Sequence, residues 1–326
     1  MVANGCGRCH NMKCPIVLVA YNRPDYFRKT VESLHKQCSN REVFCFIDGP
    51  RTGSDKKNVE VCRQICMSKI PKAKIFSEGQ NLGIGFIMKK ARDTVFEFND
   101  FLILIEDDSV LQPHYIKQLD RLIEIFKDDE RIAMMNCFGE ASCEGNKTNK
   151  VWRHSYLKNP QDIVEARKDG LVVMSNTSLT KKECQELNKD KLIMMSHLWA
   201  YAMRKSSWEA IRDITDGYYK LLPKMYHERP HDVIKKYFTK NGMNPNASSQ
   251  DSCVQSALAA RGLIGVATAS ANFEYIGLHG EHSTPKCFTQ AGFAKMEINK
   301  EYQHNFYWNE DVFNEIKKKH DARFVK

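Results

Sequence analysis

The sequence predicts an α/β fold in which a mostly parallel central sheet is flanked by helices. Three observations predict it. Short apolar runs alternate with helical patterns four times between residues 15 and 108. The runs are continuously apolar instead of alternating, as strands covered on both faces are. The fourth run, Phe101-Leu102-Ile103-Leu104-Ile105, passes straight into Glu106-Asp107-Asp108, at the carboxyl end of a strand, where open α/β sheets place their ligands.

Taken in order, Pro15 precedes the strand Ile16-Val17-Leu18-Val19-Ala20, which stops at Tyr21-Asn22-Arg23-Pro24. A helix follows with Phe27, Val31 and Leu34 on one face and Pro24 in its first turn, where a missing N–H costs nothing. Val43 to Ile47 is the second strand, closed by Asp48-Gly49-Pro50, and a helix from about Asp55 to Met67 turns Val59, Cys62 and Cys66 inward. Ala73 to Phe76 is the third strand. After Asn81-Leu82-Gly83, a helix carrying Ile84, Ile87, Ala91, Val95 and Phe98 leads to the acidic strand. This order implies parallel strands joined by right-handed crossovers. Beyond it come a helix over Pro113 to Phe126 and a strand over Ile132 to Met135. From Gly139 to about Lys191 the chain is polar and irregular, a length of loop that enzymes use for substrate binding or as a lid. Leu198 to Met203 reads as a strand and Ser207 to Ile214 as a helix. Ser248-Ser249-Gln250-Asp251 caps a further helix that runs through Val254, Ala257 and Leu258 and stops at Gly262.

Composition narrows the function classes. With 326 residues, 42% hydrophobic and 27% charged, the chain is that of an ordinary globular protein able to bury a large core. No run approaches the roughly 20 apolar residues that span a bilayer, and the N-terminus has no signal-peptide core. The chain as it stands reads as soluble and cytoplasmic, a removed anchor being the alternative. The net charge of +9 is spread through mixed-charge helices, so nucleic-acid binding is not expected. A basic balance suits an anionic nucleotide or peripheral association with a membrane surface. The twelve cysteines lie singly along the chain, as reduced thiols do. Cys6, Cys9, His10 and Cys14 cluster near the start, and their readings are plain thiols, a zinc site or, by the C-x-x-C-H spacing, haem attachment.

Three packed carboxylates at a strand end call for a cation, and hard oxygen donors suit Mn²⁺ or Mg²⁺. The other reading is a solvated acidic turn. Asn22-Arg23-Pro24 after strand one, Asp48 after strand two, the Asn81-Leu82-Gly83 turn and Leu104 to Asp108 followed by Pro113 stand in a fixed order. In that order they resemble inverting glycosyltransferases of the GT-A fold, in particular the N-acetylglucosaminyltransferase I type and family-2-like enzymes. The resemblance covers residues 15–137 closely and 198–282 more loosely. It implies a nucleotide-sugar-binding half at 15–137 and an acceptor-binding and catalytic half of the same domain at 138–282, irregular on the acceptor side. Residues 1–14 are then a mobile N-terminal segment and 283–326 a C-terminal wrapping extension.

The resemblance also implies roles. Asp108 would hold the metal, with Glu106 and Asp107 orienting ribose, sugar or water. Asp48 would bind the nucleotide base, its alternative being a turn-capping aspartate. Arg23, with Asn22, would lie near the nucleotide or else be a surface arginine, and Asn81 and Gly83 would form part of the donor site. His279, or alternatively His282, in Gly277-Leu278-His279-Gly280-Glu281-His282 would return to the metal. Asp251 would be the general base that an inverting reaction needs, or a helix N-cap or first-turn acid. Trp199 would stack on an acceptor sugar or belong to the core. The implied activity is metal-dependent transfer from a nucleoside diphosphate sugar, UDP-sugar by family frequency, to a hydroxyl of a glycan, glycolipid or protein. A nucleotidyltransferase would need a Gly-rich loop after strand one, and a dinucleotide oxidoreductase would need G-x-G-x-x-G there; Tyr21-Asn22-Arg23-Pro24 is neither. A non-catalytic sugar-nucleotide-binding protein on the same scaffold is the third reading.

Overall fold

The computed structural model describes residues 13–139, 189–223, 228–280, 283–291, 293, 296 and 298–326. Cys6, Cys9, His10, His282 and most of the irregular 139–191 stretch lie outside the described residues. The first half follows the apolar pattern closely. Strands β1 (Ile16–Ala20), β2 (Val43–Ile47), β3 (Lys74–Ser77) and β4 (Phe101–Glu106) alternate with helices Pro24–Leu34, Asp55–Lys69 and Ile84–Phe96. All five residues of β1 and of β2 are buried, which explains why their sequences show no alternation. The helix before β4 ends at Phe96, two residues short of Phe98. Phe98 is therefore 82% exposed instead of facing the core.

β5 (Ser109–Leu111), β6 (Ile132–Asn136), β7 (Leu192–Met194), β8 (Ala200–Arg204), β9 (Ile264–Thr268) and β10 (Phe273–Tyr275) complete the strands of the described residues. The main sheet has the order β3-β2-β1-β4-β8-β6-β9-β7, and β10 pairs with β5 in a separate ribbon. Only β8 and β7 run against the rest, so the sheet is mostly parallel. The expected helix over Ser207 to Ile214 is two short helices, Lys205–Ala210 and Arg212–Tyr219. The helix expected from Pro113 spans Tyr115–Phe126, with Pro113 in the turn before it.

Register positions the site. Val19 of β1 pairs with Glu106 of β4, and Ala20 pairs with Ile47 of β2, so the residues that follow these strands emerge side by side at one sheet edge. A helix that leads into a forward strand must start at that same edge. Ile84–Phe96 before β4 and Gln250–Ala260 before β9 do so. Two cores lie on opposite faces of the sheet. One packs helices Pro24–Leu34, Asp55–Lys69 and Tyr115–Phe126 against it, and the other packs Ile84–Phe96, Arg212–Tyr219, His231–Lys240 and Gln250–Ala260. Each fully buried Ile, Leu or Val contributes about 1.5–3 kcal/mol. Among the described residues no helix is long and apolar enough to cross a membrane.

The last helix, Glu310–Phe324, packs on Gln250–Ala260, β7 and β9. It carries a buried histidine. His320 is 0% exposed, neither ring nitrogen has a hydrogen-bond partner, and the ring lies 4.8 Å from that of Phe324. Burial, with Lys317 and Arg323 adding, brings its pKa from 6.5 down to about 3. Between those two values the unfolded chain takes up a proton that the folded chain refuses, so stability falls as pH drops through that window. His320→Leu is expected to flatten this limb and move the acid-unfolding midpoint to lower pH. Chemical denaturation at pH 7, 5.5 and 4 checks it, and parallel slopes in the two proteins would contradict it.

Candidate functional site

The acidic triplet is held by its backbone on three sides. The Thr30 hydroxyl donates to the Asp107 carbonyl (2.9 Å) and accepts from the Ser109 N–H (3.2 Å). Ile276 N–H donates to the Asp108 carbonyl (2.9 Å), and Glu106 N–H donates to the Trp199 carbonyl (3.0 Å). Thus the helix after β1, the strand β8 and the segment after β10 all fix one turn. Asp107 and Asp108 are buried and Glu106 is half-buried.

Arg23 answers these charges. Its Nε and Nη2 both reach Asp107, and Nη2 lies 3.0 Å from Asp108 Oδ2. The guanidinium is also 5.4 Å from the centre of the Tyr26 ring, and its Nη1 donates to the His279 carbonyl (3.4 Å). Arg23 is therefore not a plain surface arginine: it pairs with the triplet and lines the cavity. Burial pushes the Asp108 carboxyl up to about 6, against the pull of Arg23. Asp108 Oδ1 is left buried with no hydrogen-bond partner.

Asp48 is a turn organiser. Its Oδ1 accepts from the N–H groups of Gly49 (2.9 Å) and Leu82 (2.7 Å), and its Oδ2 accepts from Asn81 Nδ2 (2.9 Å) and Gly83 N–H (3.0 Å). Two donors on each oxygen fill a carboxylate's capacity, so the expected contact with a nucleotide base has no lone pair to use. Asn81 spends its amide on Asp48 and the Gly49 carbonyl, and its oxygen on Arg51 Nε (3.1 Å). Gly83 has φ +83°, which a side chain would strain, and its N–H is spent as well. The conspicuous sequence pattern here marks a rigid wall. Asn22 is similarly engaged, donating to Asp55 Oδ1 (2.8 Å) while the Tyr21 hydroxyl donates to Asp55 Oδ2 (2.9 Å).

Asp251 meets the triplet across a cavity of about 540 Å³, lined also by Arg23, Arg51 and Arg229. Ser249 fills the cap position of its helix, its hydroxyl accepting from Ser252 N–H at 3.1 Å, which is worth about 1 kcal/mol. Asp251 is thus not needed as the cap, and its carboxyl turns to the cavity, where Gln250 Nε2 donates to it. Burial raises Asp251 to about 6, with Arg92 and Arg229 pulling it down. Burial also raises Glu106, and the facing charge of Asp251 is the next cause.

Trp199 lines the cavity but is no stacking platform. Its ring lies 4.0 Å from Tyr275 and 4.1 Å from His197, both nearly parallel to it. Those two rings stack on its faces and leave an edge. The ring of His279 is exposed and does not line the cavity, and its backbone N–H donates to the Tyr26 hydroxyl (3.1 Å). Among the described residues no three His, Cys, Asp or Glu side chains converge as a metal cage. Cys14 donates to the neighbouring Pro15 carbonyl, and burial raises its thiol.

Sequence reasoning missed Arg92, Arg229 and the aromatic wall of Tyr275, Phe288 and Phe293. For Arg92 a signal existed, since it stands four residues after Met88 and three before Val95, on the buried face of its helix. Gly277 also escaped as a contact residue. A Cβ there would lie 2.3 Å from the Tyr275 hydroxyl and 2.7 Å from Asp108 Oδ2, so Gly277→Ala must displace one of them.

Removing the guanidinium leaves two buried carboxylates uncompensated, which costs about 3 kcal/mol at neutral pH. It also raises the folded-state pKa of Asp108 further above the unfolded value of 3.8, so the loss shrinks as pH falls and the carboxyl takes its proton. Arg23→Met is therefore expected to be clearly less stable than wild type at pH 8 and nearly equal to it at pH 5 by urea unfolding. A pH-independent deficit would contradict the pairing.

Comparison with known proteins places this geometry in a family. The family model described as glycosyl transferase family 2 matches residues 16–204, more than half of the chain. Among solved structures, the chain is similar to a mannosyltransferase from Pyrobaculum calidifontis in complex with GDP-Man and Mn²⁺, at 11% identity and TM-score 0.39, covering 80% of this chain and 55% of that one. It is similar to glucosyl-3-phosphoglycerate synthase from Mycobacterium tuberculosis at 12% identity and TM-score 0.33, covering 60% of this chain and 59% of that one. A UDP-glucose pyrophosphorylase has 10% identity and TM-score 0.39, covering 86% of this chain and 98% of that one. The chain thus spans little more than half the length of the first two. A comparison with curated proteins returned no match. The family match takes in β1 to β4, the Arg23 clamp and the whole acidic triplet, and the chain belongs to glycosyl transferase family 2.

Proposed function

We propose that the protein is an inverting glycosyltransferase that moves a sugar from a nucleoside diphosphate donor to a hydroxyl of a glycan, glycolipid or protein, with Asp251 as general base. The observation that carries the reading is the meeting of Asp251 with Glu106, Asp107 and Asp108 in one cavity walled by three arginines. Arginine suits diphosphate oxygens because its fork of N–H groups matches them. Arg23, Arg51 and Arg229 line the cavity in which a leaving diphosphate would develop charge. As the acceptor oxygen bonds to the anomeric carbon, the bond from that carbon to the phosphate oxygen breaks. The electron pair leaves with the diphosphate, and the acceptor proton passes to the Asp251 carboxylate. A base with a pKa near 6 is ionised at neutral pH and still basic enough to take a proton.

A divalent cation, Mn²⁺ or Mg²⁺, fits the cleft through the unpartnered Asp108 Oδ1. Such ions are often held by one or two carboxylates with substrate phosphates and water completing the shell, so the lack of a three-residue cage among the described residues is compatible with one. When bound, it would neutralise charge on the departing diphosphate. The base and sugar of the donor are read by residues other than Asp48, whose oxygens are filled; UDP-sugars are the first donors to test.

Asp251→Asn is expected to lower kcat by about 10²–10⁴-fold with donor KM little changed. The test is a donor screen with Mn²⁺ followed by NMR of the product linkage, which should be inverted relative to the donor. A folded Asp251→Asn protein with full transfer activity, or a retained anomeric configuration, would overturn the assignment.

A further inference from the structure

Arg92 does not itself line the cavity. It is 0% exposed, in the middle of the helix Ile84–Phe96, and no carboxylate lies within ion-pair distance of it among the described residues. Its Nε (3.1 Å) and Nη2 (2.7 Å) both donate to one neutral acceptor, the Tyr201 hydroxyl, and its guanidinium is 5.1 Å from the centre of the Trp208 ring. Nη1 has no hydrogen-bond partner. A lone buried cation is costly, and folds keep one where a nearby anion compensates it.

Topology indicates that anion. Ile84 and Ile87, at the start of this helix, line the cavity, and Arg92 stands about 7.5 Å further along the axis. Helical side chains lean back toward the N-terminus, so the guanidinium lies under the cavity floor. Tyr201 pairs with Leu104 on β4, two residues before Glu106 and on the same sheet face. The helix that carries Asp251 packs its Cys253 and Val254 into the same core layer as Met88, Ala91 and Trp208. We propose that Arg92 is a positioning residue for Asp251, a sealed positive charge beneath the cleft that holds the Asp251 carboxylate in its ionised form. The proposal rests on the reading of Asp251 as the base only for its catalytic consequence.

The other groups that act on Asp251 are Arg229 and Gln250 in the cavity wall, Glu106 across it, and Tyr201 and Tyr218, while Tyr219 and Cys253 face Arg92. Burial keeps the three tyrosines and Cys253 neutral well above pH 7, so the charges left to balance Asp251 are the two arginines against Glu106. Arg92 shares its environment with no solvent, so its field is the less screened of the two.

The test is an NMR titration of the Asp251 carboxyl in ¹³C-aspartate-labelled protein, assigned with Asp251→Asn, alongside the pH profile of kcat/KM. The wild-type midpoint is expected near 6. Arg92→Met should raise it by at least one pH unit, and Arg92→Lys, which keeps the charge, by clearly less. The acidic limb of kcat/KM should move by the same amount, with the rate recovering at high pH, which structural damage would not produce. An unshifted carboxyl midpoint in folded Arg92→Met overturns the proposal. A shifted midpoint with an unshifted rate profile instead supports the coupling and removes Asp251 as the base. If Arg92→Met melts too low to titrate, Arg92→Met/Asp251→Asn should melt higher than Arg92→Met, because both charges are gone, and a double variant no more stable than the single one also overturns the proposal.

Discussion

Arg23 bridges Asp107 and Asp108 across the ends of two neighbouring strands, and that contact allows a buried acidic edge to exist in a folded chain. Each half of it is fixed independently. Pro24 starts the helix immediately after Arg23, which ties the arginine to β1, while Thr30 from the next turns of the same helix holds the backbone of the triplet. One helix therefore supplies both the countercharge and the scaffold. Glu106 and Asp251 lie beyond the reach of Arg23's hydrogen bonds; the charge of Arg23 still acts on Glu106 at longer range, and the burial of Asp251 is answered by Arg92 and Arg229.

The sheet explains why these groups share one place. Forward strands end, and the helices that feed them begin, at a single edge, so residues distant in sequence arrive there by topology alone. Arg23, the triplet and Asp251 are separated by up to 228 residues, the difference between positions 23 and 251, yet line one cavity. β8, running against its neighbours, starts at this edge and brings His197 and Trp199 in from the other side. The aromatic stack of His197, Trp199 and Tyr275 then forms a stiff wall, joined by Phe288 and Phe293 from the C-terminal region.

The strands β1, β2 and β4 were legible because burial on both faces demands unbroken apolar runs, and Pro24 and Ser249 mark helix starts by local backbone chemistry. The place of Asp251 near a helix start was legible for the same reason. β5 and β10 were not foreseen as a pair, because three-residue strands carry no periodicity, and β7 escaped inside a polar stretch. Side-chain roles were harder still. Asp48, Asn81 and Gly83 form a conspicuous pattern, yet their hydrogen bonds close on each other, and no linear pattern distinguishes a group aimed at a ligand from one aimed at a turn. Trp199 shows the same limit, since its stacking partner Tyr275 is remote in the chain.

The central claim is that the arginine-walled acidic cleft receives a nucleoside diphosphate together with a divalent cation. Thermal unfolding of the wild-type protein and of Asp108→Ala, each with UDP or GDP in the presence and absence of Mn²⁺, tests it most directly. A ligand that binds only the folded state raises its stability, by about 2.7 kcal/mol at a hundredfold excess over Kd. The account predicts a rise of several degrees for wild type with nucleotide and Mn²⁺ together, a smaller rise with nucleotide alone, and none of the Mn²⁺-dependent part in Asp108→Ala. An absence of stabilisation by either nucleotide, or an identical Mn²⁺-dependent rise in Asp108→Ala, would contradict it.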